Sequence, residues 1–182
     1  PRIKITLVQG LPKADKMDMI IQKGTEVGIS EFIPVITERT IVQLTAGKAE
    51  RRVERWQRIA QEAAKQCRRA VIPKVHYPLQ WRECIDEYLK DSDELLGLIP
   101  WEEIAGTGIG LREVLTSALS RDDAGGIKDV WLFIGPEGGF SEGEVQQAAT
   151  AGVSAVSLGP RILRTETAGP ITAALVLYQL GE

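Results

Sequence analysis

Apolar residues along the 182-residue chain fall into two alternating kinds of run. Short, dense stretches occur at 3–9 (IKITLVQ), 32–42 (FIPVITERTIV), 71–75 (VIPKV), 94–100 (ELLGLIP), 129–135 (DVWLFIG) and 153–159 (VSAVSLG), and each predicts a β-strand. Between them, helical patterns are predicted around 14–28, 48–69, 79–90, 110–119, 142–151 and 167–180. That order predicts an α/β domain spanning 1–182, with a mostly parallel sheet covered by helices.

Local punctuation sharpens two of the helices. Ser141 and Glu144 are spaced as a capping box, and Gly152 stands where that helix should turn out. In the last helix Pro170 is tolerable only in the first turn, which predicts a cap at Thr167 with Pro170 as the third residue. The rest of that helix, ITAALVLYQL, is apolar all round and calls for burial on more than one side. In the first helix Met17, Ile20, Ile21 and Val27 form a core face.

Composition narrows the chemistry. With 43% hydrophobic and 26% charged residues, the chain is long enough for a sizeable core. No run approaches the roughly 18 apolar residues of a membrane span, so a cytoplasmic protein is expected. One histidine, His76, and two scattered cysteines, Cys67 and Cys84, do not make a zinc set, and no nucleophile elbow accompanies them. The net charge of −3 conceals an asymmetry: residues 48–74 hold nine Lys and Arg against three Glu, a local +6 that leaves −9 elsewhere. The amphipathic helix carrying those charges is either a solvated surface or a polyanion-binding face.

In a parallel α/β sheet, ligands sit beyond the carboxyl ends of the strands. Two unusual loops occupy such places. In GPEGGF (135–140), Gly135, Gly138 and Gly139 permit positive φ or close approach to bare backbone, though a plain βα turn would use similar residues. In SLGPRILRTETAGP (157–170), Gly159-Pro160 would suffice as a turn, yet Arg161, Arg164, Thr165, Glu166 and Thr167 follow at once. A third glycine-rich stretch, GTGIG (106–110), matches no nucleotide-binding pattern and reads as a simple turn.

The blocks KADKMDMIIQKGTEVGISEFIPVITERT, RWQRIAQEAAKQC, LFIGPEGGFSEGEV and SLGPRILRTETA, in that order, resemble the SPOUT-class 16S ribosomal RNA (uridine-N3) methyltransferases over nearly the whole chain. The resemblance implies a deep C-terminal trefoil knot, an S-adenosylmethionine site in the knot loops, a homodimer, and small-subunit ribosomal RNA as substrate. It also implies a PUA-like N-terminal RNA-binding domain, absent here, so a chain opening at Pro1 is expected to be the catalytic part of something longer. Gly135, Glu137, Gly138, Leu158, Gly159, Ile162, Leu163 and Thr167 match the cofactor loops, with Ile99 and Pro100 as candidates for the third. Arg39 and Gln66, Arg68 and Arg69 match the RNA face, where EAAKQCRRA is more basic than the family's pattern. Lys16, Gln22, Lys23 and Glu26 recur in the family block and are candidates for the substrate cleft.

Methylation of uracil N3 removes a proton and leaves negative charge shared with O2 and O4. A fixed cation stabilises such an anion, and Arg164 is the candidate. Glu166 is expected to orient that arginine or accept the proton. Three other readings stay open: a 2′-O-ribose methyltransferase with the same pocket, a non-catalytic RNA-binding module, and a doubly wound nucleotide enzyme.

Overall fold

The computed structural model describes residues 3–88, 95–102, 109–120 and 127–181. Seven strands, β1 (Lys4–Gly10), β2 (Glu31–Ile36), β3 (Lys74–Val75), β4 (Leu79–Gln80), β5 (Leu95–Pro100), β6 (Asp129–Ile134) and β7 (Ser154–Val156), form one sheet. The helices are α1 (Lys16–Val27), α2 (Ala46–Gln66), α3 (Trp81–Tyr88), α4 (Leu111–Leu119), α5 (Glu142–Thr150) and α6 (Thr165–Gln179). Strand order is β3-β2-β1-β6-β5-β7, with β4 also paired to β2, and every pairing is parallel.

Dense apolar strands arise because both faces of the sheet are covered. In β6, Val130, Leu132 and Ile134 join one core, with Met17, Ile20, Trp56, Leu115 and Val176 from helices α1, α2, α4 and α6. Trp131 and Phe133 point the other way, into a core with Trp81, Ile85 and Tyr88 of α3 and Val145 and Ala148 of α5. Aromatic rings meet edge-on there, Trp81 with Phe133 at 6.0 Å and Tyr88 with Trp131 at 5.5 Å between centroids. The chain steps one way from β1 to β2 and the other way from β6 to β7, so the crevice between β1 and β6 is the switch point where loops diverge.

Several boundaries differ from the sequence pattern. β2 stops at Ile36 rather than 42 because side chains capture the backbone beyond it: Thr37 N–H donates to Thr40 Oγ1 at 3.0 Å and Glu38 N–H to Glu144 Oε1 at 2.8 Å. α2 opens at Ala46, and Leu79–Gln80 form a bridge strand rather than the start of a helix. β3 keeps just Lys74–Val75 and β7 just Ser154–Val156.

The last helix begins three residues earlier than expected. Arg164, not Thr167, is its cap residue, and the Arg164 carbonyl accepts from the N–H of Thr167 and of Ala168, both at 2.9 Å. Pro170 therefore sits sixth in the helix, where its missing N–H costs the turn one hydrogen bond. The capping box at Ser141 and Glu144 is formed, and Gly152 turns out with φ +88°. A trefoil crossing would depend on the path of residues 103–108, which lies outside the described residues, as does most of GTGIG.

Candidate functional site

The GPEGGF loop leaves β6 at its carboxyl end and is held by several ties, three of them at or beyond Pro136. Gly139 N–H donates to Pro136 O at 2.9 Å, closing a turn in which Gly139 has φ +69°. A side chain on Gly135 would lie 2.9 Å from Gly139 Cα, so that glycine serves close approach, not an unusual φ. Arg39, just beyond β2, donates Nη1 to Gly138 O at 2.9 Å.

Glu137 makes the third tie. Its carboxylate accepts from Lys13 N–H at 3.0 Å and from Lys16 Nζ at 2.9 Å, stapling the loop before α1 to the loop after β6. Burial pushes the Glu137 carboxyl up, but Lys16 and the backbone N–H groups outweigh it and hold it below the usual carboxylate range. The Glu137 hydrogen bond raises the Lys16 ammonium in turn, against the opposing effect of its desolvation. Lys16 Nζ also lies 3.5 Å from Glu166 Oε2. Glu166 thus faces Lys16, while Arg164 has no ion-pair partner among the described residues; the expected pairing of Glu166 with Arg164 is not formed.

These groups surround a cavity of about 360 Å³ at the carboxyl edge of the sheet. Of the residues singled out from sequence, Arg39, Pro100, Gly135, Glu137, Ile162, Leu163, Arg164 and Glu166 line it, together with Lys16. A smaller cavity of about 100 Å³ shares Pro100, Ile162 and Leu163 and adds Leu158 and Gly159. Loops after β5, β6 and β7 thereby converge from distant parts of the chain.

Other candidates lie elsewhere. Ile99 is fully buried in the α3–α5 core, and Thr167 is exposed and lines neither cavity. Gly138 contributes its carbonyl to Arg39 rather than a cavity wall. Gln66 borders a separate groove between α1 and α2, with Gln22, Lys23 and Glu26, and Arg68 is exposed with φ +60°. Arg69 donates Nη1 to Thr25 O at 2.9 Å and Ile29 O at 2.6 Å, so that arm is occupied by the turn after α1.

Sequence reasoning passed over Trp101 and Glu102, which also line the larger cavity, and Gln9, which bonds Thr165 of the second loop; Phe140 and Thr165 stood in the two loops singled out but were given no role. Trp101 directly after an apolar strand, and a glutamine closing the apolar run ITLV, were the available signals.

Comparison with known proteins decides the family. Residues 1–177 match the model of the RNA methyltransferase domain. The chain belongs to that family. It is 36% identical over 178 residues to the ribosomal RNA small subunit methyltransferase E of Bacillus subtilis, covering 97% of this chain and 66% of that protein. The chain spans between 53% and 66% of the length of this relative and the Synechocystis one. The crystal structure of the same-named enzyme from Neisseria gonorrhoeae, bound to S-adenosyl methionine, superposes with a TM-score of 0.80 at 36% identity, covering 97% of this chain and 66% of that one. An Aquifex aeolicus TrmH/SpoU tRNA modifying enzyme shares the fold at a TM-score of 0.55 and 13% identity, covering 98% of this chain and 74% of that one. The fold is therefore the SPOUT type, a parallel sheet flanked by helices.

Proposed function

We propose that this chain is the catalytic part of an S-adenosylmethionine-dependent methyltransferase acting on N3 of a uridine in small-subunit ribosomal RNA, and hence working in the cytoplasm. The observation that carries the reading is the convergence of the three strand-end loops on one cavity, with Arg164, Glu166 and Lys16 on its wall, in a chain 36% identical to a relative crystallised with that cofactor.

The residues present fit such a ligand. Pro100, Ile162 and Leu163 offer apolar surfaces shared by both cavities, and about 360 Å³ lies within the range of small-molecule sites. When bound, S-adenosylmethionine supplies an electrophilic methyl on a sulfonium whose sulfur keeps the bond pair as the methyl leaves. Everything else falls to the chain. The loops after β6 and β7 hold the donor still, since orientation supplies much of the rate in a two-reactant transfer. Arg164 stabilises the negative charge that spreads to O2 and O4 as the N3–H proton departs, and Glu166 receives that proton. Lys16 lies between two carboxylates, 2.9 Å from Glu137 Oε1 and 3.5 Å from Glu166 Oε2.

RNA reaches the cavity over basic surface. Arg39 and Arg161 flank the loops, and Lys48, Arg51, Arg52 and Arg58 follow one side of α2 with no ion-pair partner among the described residues. A homodimer completes the assembly. Ile171, Leu175 and Tyr178 are spaced one helical turn apart on α6 and are 46%, 46% and 82% exposed, an apolar stripe suited to a second copy.

Incubation with small-subunit RNA and labelled cofactor, followed by digestion to nucleosides and mass spectrometry, tests the activity. The reading expects 3-methyluridine; label in a 2′-O-methyl nucleoside, or none, would replace it.

A further inference from the structure

At the carboxyl end of β1 the core contains a polar residue that packing alone does not explain. Gln9 is 0% exposed and lies on the same sheet face as Ile5 and Leu7, where an aliphatic side chain would fill the space without desolvating an amide. Its Oε1 has no hydrogen-bond partner among the described residues, a cost that an aliphatic side chain would not incur. Its Nε2, in contrast, is surrounded by acceptors: Thr165 Oγ1 at 2.9 Å, Gly10 O at 3.0 Å and Gly135 O at 3.4 Å.

The direction of this network is fixed. Gly135 O can only accept and Gln9 Nε2 can only donate, so Thr165 must accept from Gln9 and pass its one hydroxyl hydrogen to Gly135 O, at 2.6 Å. Reversing the Gln9 amide would point Oε1 at two carbonyl oxygens. The sequence Gln9 N–H to Thr165 O–H to Gly135 C=O is a short cooperative chain that runs from the buried end of β1 to the cavity edge. It joins three segments far apart in sequence: the end of β1, the first residue of the GPEGGF loop, and the first helical residue of α6. Close packing reinforces it, for a side chain on Gly10 would lie 2.4 Å from Pro136 Cδ.

Thr165 directly follows Arg164. We propose that Gln9 and Thr165 are positioning residues, a buried latch that sets Arg164 at a fixed place relative to the loop that begins at Gly135. Thr165 lines the cavity, but the hydroxyl that makes the latch is committed to Gly135 O, and its effect on catalysis rests on the function proposed above for Arg164. Losing it lets the α6 N-terminus, and with it the wall that carries Arg164 and Glu166, drift against the loop that begins at Gly135, and a displacement of about 1 Å near reacting groups costs on the order of 100-fold in rate.

The test compares Thr165→Val, which keeps shape and loses the hydroxyl, with Thr165→Ser, which keeps the hydroxyl, and with Gln9→Met. Amide hydrogen exchange on the cofactor-free protein is expected to accelerate about tenfold at 135–140 and 164–168 in the Val and Met variants, with α2 and α3 unchanged, by the logic of local opening. Single-turnover methyl transfer is expected to fall about 100-fold in those two, with S-adenosylmethionine affinity within about fivefold of the parent and near-parent behaviour in Thr165→Ser. A Val variant matching the parent in local exchange and turnover overturns the latch, as does a Ser variant as impaired as Val. A parent chain that does not bind S-adenosylmethionine defeats the proposed activity instead, and the exchange measurement still decides whether the latch holds the two segments.

Discussion

The loops after β6 and β7 form opposite walls of one cavity but are secured very differently. The first is tied on all sides, by Lys13 and Lys16 to Glu137, by Arg39 to Gly138, by its own turn and by Thr165 to Gly135. In the second, residues 160–163 make no hydrogen bond among the described residues, and Ile162 is 77% exposed. One wall is held by hydrogen bonds and ion pairs, the other chiefly by Leu158 and Leu163 packed against the core. Under the proposed function this difference fixes where binding energy goes: cofactor contact would order the second loop, while the first supplies a fixed reference. Arg164 stands at the junction, where the loose wall enters α6 and the latch takes hold.

The largest expected effect breaks the comparison at that junction. Arg164→Ala should lower methyl transfer by about 10²–10³-fold, the scale for removing one charge-stabilising donor, with cofactor affinity nearly intact. Rapid-quench turnover beside calorimetric titration separates the two. On the loose wall, Ile162→Ala should weaken S-adenosylmethionine by roughly tenfold through lost apolar contact while leaving the unfolding temperature within about 1 °C, because the side chain is exposed before binding.

The smallest effect concerns the tied wall and is a matter of pH. Folding depresses the Glu137 carboxyl, so the stability it contributes is present above the ordinary carboxylate value of 4.5 and is lost as pH falls through the lower folded value. Lys16 is raised, so its contribution holds below 10.5 and is lost as pH climbs through the higher folded value. The staple is therefore intact across the neutral range. Thermal unfolding of Glu137→Gln should fall below the parent at pH 7 and converge with it in acid; an equal deficit at both extremes would mean that packing, not charge, holds this loop.

Much of this architecture was legible because its causes are local. Strands covered on both faces produce unbroken apolar runs, and Ser141 and Glu144 cap α5 from four residues of sequence. The failures have the opposite character. β2 ends early because Glu144, 106 positions away, accepts the Glu38 amide. α6 starts early, with Thr165 as its first residue, and that hydroxyl is bonded to Gln9 across 156 positions. The same holds in the site. Glycine-rich loops at strand ends announced themselves, whereas Gln9, Trp101 and the turn of Glu166 toward Lys16 exist only through tertiary pairing. Arg69 carries a structural duty that its basic segment did not announce, with one arm held by backbone carbonyls.

The claim at the centre of this account is that the cavity between the tied and the loose loop receives S-adenosylmethionine. Calorimetric titration of the folded chain with the cofactor tests it most directly, with exchange at 157–163 followed in parallel. The account predicts saturable binding of about one equivalent per chain, with the second loop gaining protection and the first changing little, as expected when a ligand orders one wall against another. A folded chain that takes up no cofactor, or one that gains protection at 135–140 and none at 157–163, would contradict it.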